Sequence, residues 1–178
     1  MGREVRRVPA DWQHPKKQQF DHRGQWVERY EPLMDGDWAE RAKEWDEARE
    51  KWERGEFPDY ASEESRKLPF DQWEGRRPYS GDYMPHWPEA ERTHLMMYED
   101  TTEGTPISPA FETPEELARW LVDNNASAFG SSTGTYEGWL SIARGGWAPS
   151  MVVDAAGVHT GVDFASLKAA QPDQGATR

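Results

Sequence analysis

The sequence contains no cysteine among its 178 residues. Without thiols, the chain has no disulfide bond, no thiolate-bound zinc and no cysteine nucleophile, which excludes several classes of enzyme and metal-binding domain. Long apolar runs are also missing, and none approaches the ~20 residues that a membrane-spanning helix needs. The first residues, MGREVRRVPADWQHP, lack the apolar core of a secretion signal. We therefore expect a soluble, unexported protein with no membrane partner.

Aliphatic side chains are scarce as well. Apolar residues make up only 35% of the chain, and the mean hydropathy is −1.02. The chain contains instead ten Trp, six Tyr and six Phe. Because each buried aromatic side chain removes ~150–250 Å² of surface from water, aromatic residues can form the core that aliphatic residues do not supply. We expect an α+β fold with one compact Trp-rich domain and long irregular segments.

The net charge of −12 is unevenly distributed along the chain. Residues 1–25 carry +3, residues 26–105 carry −11 and residues 106–178 carry −4. Proteins bind nucleic acids through Lys and Arg side chains that replace counterions, so the acidic body indicates no direct nucleic-acid binding. The expected partner is a protein or complex with a basic surface. The basic N-terminal segment offers Arg3, Arg6 and Arg7 as further candidate contacts.

Capping signals predict the helices. Asp37 and Glu40 form a D-x-x-E capping box, and Gly55 supplies a stop signal after the charged run. Thr113 and Pro114 open a second helix in the same manner. The predicted helices span residues 37–54, 114–123 and 136–144, and the predicted short antiparallel strands span residues 93–98, 107–111, 150–153 and 158–160.

Proline and polarity set the expected domain boundaries. Residues 1–34 contain three prolines without a sustained hydrophobic period, which indicates an extended arm. Residues 35–164 form the Trp-rich domain, in which residues 56–91, with five prolines, wrap irregularly while their aromatic side chains point inward. Residues 165–178 are polar and are expected to form a loose tail.

A tryptophan recurs at every seventh position of the first predicted helix, at Trp38, Trp45 and Trp52. The favoured interpretation is that this face packs on the protein's own core, as amphipathic helices usually do. The alternative is a surface that contacts a partner, because Trp is enriched at binding hot spots. In that case the neighbouring Glu44 and Glu47 join the candidate site.

Histidines offer the only candidate for an enzymatic or metal site. The segment HWPEAERTH places His86, Glu89, Glu91 and His94 close together in sequence, and a metal ion can use three such side chains. Surface loops commonly collect these residues, so the favoured hypothesis remains a protein without catalytic residues, metal or cofactor. A dispersed enzyme site near His86–His94 stays open as an alternative.

Several phrases resemble one known group of proteins: REVRRVP, GEFPDYASEESRKLP, DYMPHWPEAERTH, EGTPISPAFETPEELARWL and GGWAPSMVV. In this order, over most of positions 3–153, they resemble small proteins encoded in tailed-bacteriophage genomes and prophages. The resemblance implies no catalytic residue. It does imply action in the host cytoplasm, as an acidic, anti-CRISPR-like inhibitor of a host defence or DNA-handling complex. An alternative is a virion or assembly component whose N-terminal arm docks on a neighbouring copy.

Overall fold

The computed structural model describes residues 2–100, 104–154 and 157–170 of an α+β protein. The helices are α1 (Trp38–Glu53), α2 (Phe70–Trp73), α3 (Pro114–Asp123), α4 (Tyr136–Gly145) and α5 (Gly161–Ala170). The strands are β1 (Arg3–Val8), β2 (Lys16–Phe20), β3 (Trp26–Tyr30), β4 (His94–Glu99), β5 (Ser127–Phe129), β6 (Ser132–Thr133), β7 (Trp147–Ala148), β8 (Met151–Asp154) and β9 (Gly157–Thr160).

Backbone contacts divide the chain into two compact units. The sheet unit comprises Met1–Pro32 and Trp87–Arg178, and the inserted unit comprises Leu33–His86. These boundaries differ from the predicted arm 1–34, domain 35–164 and tail 165–178. The difference arises because the N-terminal strands belong to the same unit as the second half of the chain.

Strand β1 is the middle strand of the main sheet, between β4 and β7. It pairs antiparallel with β4 along its whole length, from Arg3 opposite Glu99 to Val8 opposite His94. The prediction of a separate arm is therefore wrong for residues 3–8. The sequence did not indicate this strand, because the buried Arg3 and Arg6 interrupt the alternation of apolar side chains that is typical of a strand.

The other edge of β4 is covered by the segment predicted as the strand 107–111. This segment lies beside β4 and forms an isolated bridge with it at Phe111 opposite Leu95, and the preceding Pro106 forms a second bridge opposite Tyr98. It is not a regular strand, because prolines lack the N–H group that a ladder needs. The Ser108 hydroxyl compensates by accepting a hydrogen bond from the backbone N–H of Met97 at 2.9 Å.

Helices α3 and α4 cover one face of the sheet and close the main core. The Thr113 hydroxyl accepts from the Glu116 N–H, and the Glu116 carboxylate accepts in return from the Thr113 N–H, so the expected capping box is present. Thr135 caps α4 through the N–H of Gly138. The buried core residues of this unit are Leu95, Met97, Leu117, Ala118, Leu121, Ala128, Trp139, Ile142, Ala143, Ala148 and Val162.

The C-terminal part contains the predicted hairpin and one helix that the sequence did not indicate. Strands β8 and β9 pair antiparallel, with Met151 opposite Thr160. The expected loose tail is wrong for residues 165–170, which lie in α5, while residues 171–178 lie outside the described residues. Val162 anchors the start of α5 in the main core, where it is fully buried.

Candidate functional site: an aromatic pocket beside helix α1

Helix α1 begins and ends close to the predicted residues. The Asp37 carboxylate accepts a hydrogen bond from the N–H of Ala39 at 2.8 Å, and so caps the helix N-terminus. After the helix, Gly55 adopts a φ of +78°, a left-handed conformation that glycine adopts with little strain. These local signals fix the helix and therefore the face on which its three tryptophans lie.

The three tryptophans are not equally covered. Trp38 is 38% exposed and Trp45 is half-buried, whereas Trp52 is only 7% exposed. The indole N–H of Trp52 donates to the carbonyl oxygen of Leu68 at 3.1 Å. The core interpretation is therefore correct for Trp52, and the solvent-exposed end of the face lies at Trp38.

Trp52 lies under aromatic side chains of the segment that follows α1. Its ring stacks on Trp73, with ring centroids 4.4 Å apart and planes inclined by 23°. Phe57 meets it edge-to-face with centroids 4.8 Å apart, and Phe70 lies beside both rings. The predicted inward orientation is thus correct for Phe57, Phe70 and Trp73, which form a small second core with Trp52, and wrong for Tyr60 and Tyr79, which are exposed.

This aromatic cluster leaves a concave pocket of about 380 Å³. Tyr60 stands at its edge, 81% exposed, with its ring roughly parallel to that of Trp73 at a centroid distance of 6.0 Å. The charged residues that line the pocket are Lys51, Glu56 and Glu74. A pocket with aromatic walls and carboxylates at its edge suits a cationic group, because the negative faces of the rings attract cations.

Two arginines of the same unit already lie over aromatic rings. The guanidinium carbon of Arg66 is 5.5 Å from the centre of the Phe57 ring, and that of Arg49 is 5.5 Å from the centre of the Trp45 ring. Both distances are within the ~6 Å at which cation–π attraction is felt. The rings around α1 are therefore positioned to take guanidinium groups on their faces.

The surface around the pocket is acidic. The inserted unit contains 15 Asp and Glu against nine Lys and Arg, which gives a net charge of −6. A hydrogen bond from Arg54, and then its charge, lowers the pKa of Glu56 and keeps this carboxyl ionised. The exposed Glu74 also lines the pocket.

The predicted partner contacts Glu44 and Glu47 are exposed on α1, and each already has a cationic neighbour. Glu44 pairs with Arg41 at 3.0 Å, and Glu47 pairs with Lys43 at 3.7 Å. Exposed ion pairs of this kind contribute only about 0–1 kcal/mol. These carboxylates can therefore turn to another cation at little cost.

Two of the three arginines predicted as partner contacts are buried, which corrects that prediction. Arg3 is 1% exposed and lies 3.3 Å from a carboxylate oxygen of Glu99. Arg6 is 6% exposed, and its guanidinium carbon lies 4.5 Å from the centre of the Tyr98 ring. Of the three, Arg7 is exposed.

The histidines proposed for a dispersed enzyme site have ordinary surroundings. His86 is exposed, and Nδ1 of the half-buried His94 lies 2.9 Å from the Thr93 hydroxyl. Glu89 forms an ion pair with Arg92. Across residues 2–100, 104–154 and 157–170, no group of three or more His, Asp or Glu side chains is arranged to hold a metal ion.

The pocket residues Phe57, Tyr60, Phe70 and Trp73 were not predicted as a site. Their aromatic character and their place directly after α1 were visible, but nothing in the sequence indicates that Trp73 folds back onto Trp52. Only a short helical turn, α2, brings Phe70 and Trp73 onto the same side.

No protein-family model, no curated protein and no solved structure matches this chain. None of the helices in the described part of the chain combines the length and the apolar character that crossing a membrane requires. The pocket beside α1 is therefore the feature on which a functional proposal rests.

Proposed function

We propose that this protein is a non-enzymatic binding protein that attaches to a basic protein surface. A lysine or arginine side chain of the partner enters the pocket that Tyr60, Trp73 and Trp52 line. The observation that supports this proposal is the pocket itself, which combines stacked aromatic rings with the carboxylates of Glu56 and Glu74.

The magnitude of the interaction suits a specific but reversible contact. A cation on an aromatic face gains about 0.5–1 kcal/mol at an exposed site and about 2 kcal/mol when it is desolvated. An ion pair between the exposed carboxylate of Glu74 and an incoming guanidinium adds at most about 1 kcal/mol. One side chain in the pocket therefore anchors the partner, and the rest of the acidic surface supplies orientation.

The exposed carboxylates of α1 extend the contact surface. Glu44 and Glu47 exchange their weak pairs with Arg41 and Lys43 for cations of the partner. Such charges mainly accelerate association and fix the orientation of the complex, and their effect falls with added salt.

The resemblance to bacteriophage proteins extends the proposal to the biological partner. A host defence or DNA-handling complex has a basic groove for nucleic acid, and an acidic protein that occupies the groove inhibits the complex. In this proposal the protein acts in the host cytoplasm and needs no cofactor. In the virion alternative, the segment that docks on a neighbouring copy lies outside residues 3–8, since these residues pair within their own sheet.

Binding of an arginine-rich peptide tests the pocket directly. Tyr60→Ala removes an exposed wall without disturbing the core, and we expect the peptide to bind roughly 2- to 30-fold more weakly. Tyr79→Ala is the matched control, because Tyr79 is also exposed in the inserted unit but does not line the pocket. Equal affinities for the two variants in a calorimetric titration would reject the pocket as the binding site.

The partner itself is found by affinity purification of the tagged protein from infected cells. We expect a host complex that is recovered at low salt, that is depleted when Tyr60→Ala replaces the natural chain, and that is retained by Tyr79→Ala. Recovery of the protein in stoichiometric amounts from purified phage particles would instead support the structural alternative.

A further inference from the structure

The hairpin β2–β3 carries a basic face in an otherwise acidic protein. Residues 16–30 contain four Lys and Arg against two Asp and Glu. The turn is held by Asp21, whose carboxylate accepts hydrogen bonds from the N–H groups of Arg23 and Gln25, both at 2.8 Å. Gly24 adopts a φ of +72° at the turn. The hairpin is therefore a defined structure, and its register fixes which side chains face each other.

The register separates the charged residues onto two faces. On one face Lys16 lies opposite Tyr30, and Lys16 is neutralised by Glu28 at 3.2 Å. On the other face Lys17 lies directly opposite Arg29. Side chains opposite each other on antiparallel strands have Cβ atoms about 5 Å apart, and like charges in this position repel.

No carboxylate among the described residues forms an ion pair with Lys17 or Arg29. This contrasts with α1, where most cations have a carboxylate neighbour within 4 Å. Two unneutralised cations held opposite each other are unfavourable for the hairpin alone. They become favourable when an anion lies between them.

A cleft of about 540 Å³ lies at this pair. Lys17, Gln19 and Arg29 contribute hydrogen-bond donors from the hairpin, and Thr105 contributes a hydroxyl from the loop after β4. Glu28 also lines the cleft, but its carboxylate is paired with Lys16. An arginine fork beside a lysine ammonium matches the geometry and charge of a phosphate group.

We propose that the cleft at Lys17 and Arg29 binds the phosphate group of a phosphorylated ligand. The Arg29 fork and the Lys17 ammonium contact the phosphate oxygens, while Gln19 and Thr105 bind the neighbouring part of the ligand. The group can belong to a small phosphorylated molecule or to the backbone of a single-stranded nucleic acid. This site is separate from the aromatic pocket, so neither proposal depends on the other.

Calorimetric titration with inorganic pyrophosphate and with a short single-stranded oligothymidylate tests the proposal at low ionic strength. We expect binding of at least one probe, with an affinity that falls as salt is added. Tighter binding of the oligonucleotide identifies a nucleic-acid backbone as the source of phosphate, and binding of pyrophosphate alone identifies a small ligand. No binding of either probe, or equally tight binding of polyglutamate, overturns the proposal.

The decisive variant is Arg29→Glu. It places a carboxylate opposite Lys17 and so removes the cross-strand repulsion, which means that the hairpin keeps its structure while the phosphate site is lost. We expect the affinity to fall about tenfold or more. Arg23→Glu is the matched control, since it changes the net charge equally within the same hairpin but outside the cleft. An equal loss in both variants shows a general charge effect and refutes a defined site.

Discussion

Nδ1 of His14 lies 3.1 Å from the hydroxyl oxygen of Tyr98, and both side chains are buried. Nε2 of the same imidazole lies 2.7 Å from the carbonyl oxygen of Glu31, which can only accept, so Nε2 carries the proton of the neutral ring. Nδ1 then accepts from the phenol, whose oxygen accepts in turn from the indole N–H of Trp12 at 3.3 Å. This chain of hydrogen bonds joins β4 to the segment before β2 and is satisfied when His14 is neutral.

This geometry predicts that stability decreases as the pH falls below about 6.5, the ordinary histidine pKa. Burial is the main cause that lowers the pKa of His14, and the nearby charge of Arg6 adds to it, while the bond to Glu31 opposes both. With this lowered pKa, the unfolded chain binds the His14 proton more readily than the folded chain does. The contribution of neutral His14 to the free energy of unfolding is therefore complete above pH ~6.5. It is lost toward lower pH with a slope of at most about 1.4 kcal/mol per pH unit.

Urea unfolding at about pH 7.5 and about pH 5.5 measures this effect. The difference in unfolding free energy between the two pH values should shrink in His14→Gln and remain in His22→Gln, whose histidine is exposed. If His14→Gln keeps the full pH dependence, another group is responsible.

Replacing Arg3 should destabilise the protein strongly. Its guanidinium is buried between Glu99 and backbone oxygens, with Nε donating to the carbonyl of Ser127 at 2.9 Å. Arg3→Met leaves the Glu99 carboxylate without this cation, and breaking a buried pair in this way costs about 3–5 kcal/mol. Arg7→Met, at an exposed position of the same strand, should change the unfolding free energy by less than about 0.5 kcal/mol. Similar values for the two variants in denaturant titrations would show that burial of Arg3 is unimportant.

Trp52→Ala should destabilise the inserted unit by about 3–5 kcal/mol, because it opens a cavity beneath Trp73 and Phe70. It also leaves the carbonyl of Leu68 without the indole donor. Tyr60→Ala, in contrast, should cost less than about 0.5 kcal/mol, since the ring is largely exposed. Thermal unfolding separates the two effects, and a small loss for Trp52→Ala would contradict its place in the core.

Position 161 requires glycine because the neighbouring backbone leaves no space for a side chain. A Cβ atom built there would lie 1.8 Å from the carbonyl oxygen of Pro149, so Gly161→Ala should force a backbone shift at the start of α5 and cost about 1–3 kcal/mol or more. Gly145→Ala meets no atom within 4 Å in the last turn of α4. We expect it to be neutral or to stabilise by up to about 1 kcal/mol. Chemical denaturation measures the free energy of unfolding of both variants. Equal values for Gly161→Ala and Gly145→Ala would contradict the close contact between position 161 and Pro149.

The elements that were correctly predicted depend on short-range signals. Asp37 and Thr113 mark the starts of α1 and α3 in the sequence, and the hairpin of β8 and β9 connects neighbouring residues. Strand β1 was not predicted because its pairing partner β4 lies about 90 residues away in sequence. In addition, its buried arginines contact their ion-pair and ring partners only in the folded chain. The aromatic pocket was missed for the same reason, since Trp73 reaches Trp52 through a turn of irregular backbone.

By itself, the sequence determined the starts of α1 and α3 and the acidic charge, because these follow from composition and from interactions between residues a few positions apart. Among the described residues, the expected aromatic core is found in the small cluster around Trp52, whereas the main core is mostly aliphatic and has Trp139 as its buried aromatic member. Only the tertiary structure decided that Trp52 is buried while Trp38 is partly exposed, that Arg3 is buried, and that Lys17 faces Arg29. Such contacts depend on how distant segments pair and in which register. A shift of one residue in the register of a strand would turn Arg3, Lys17 or Arg29 to the opposite face of that strand.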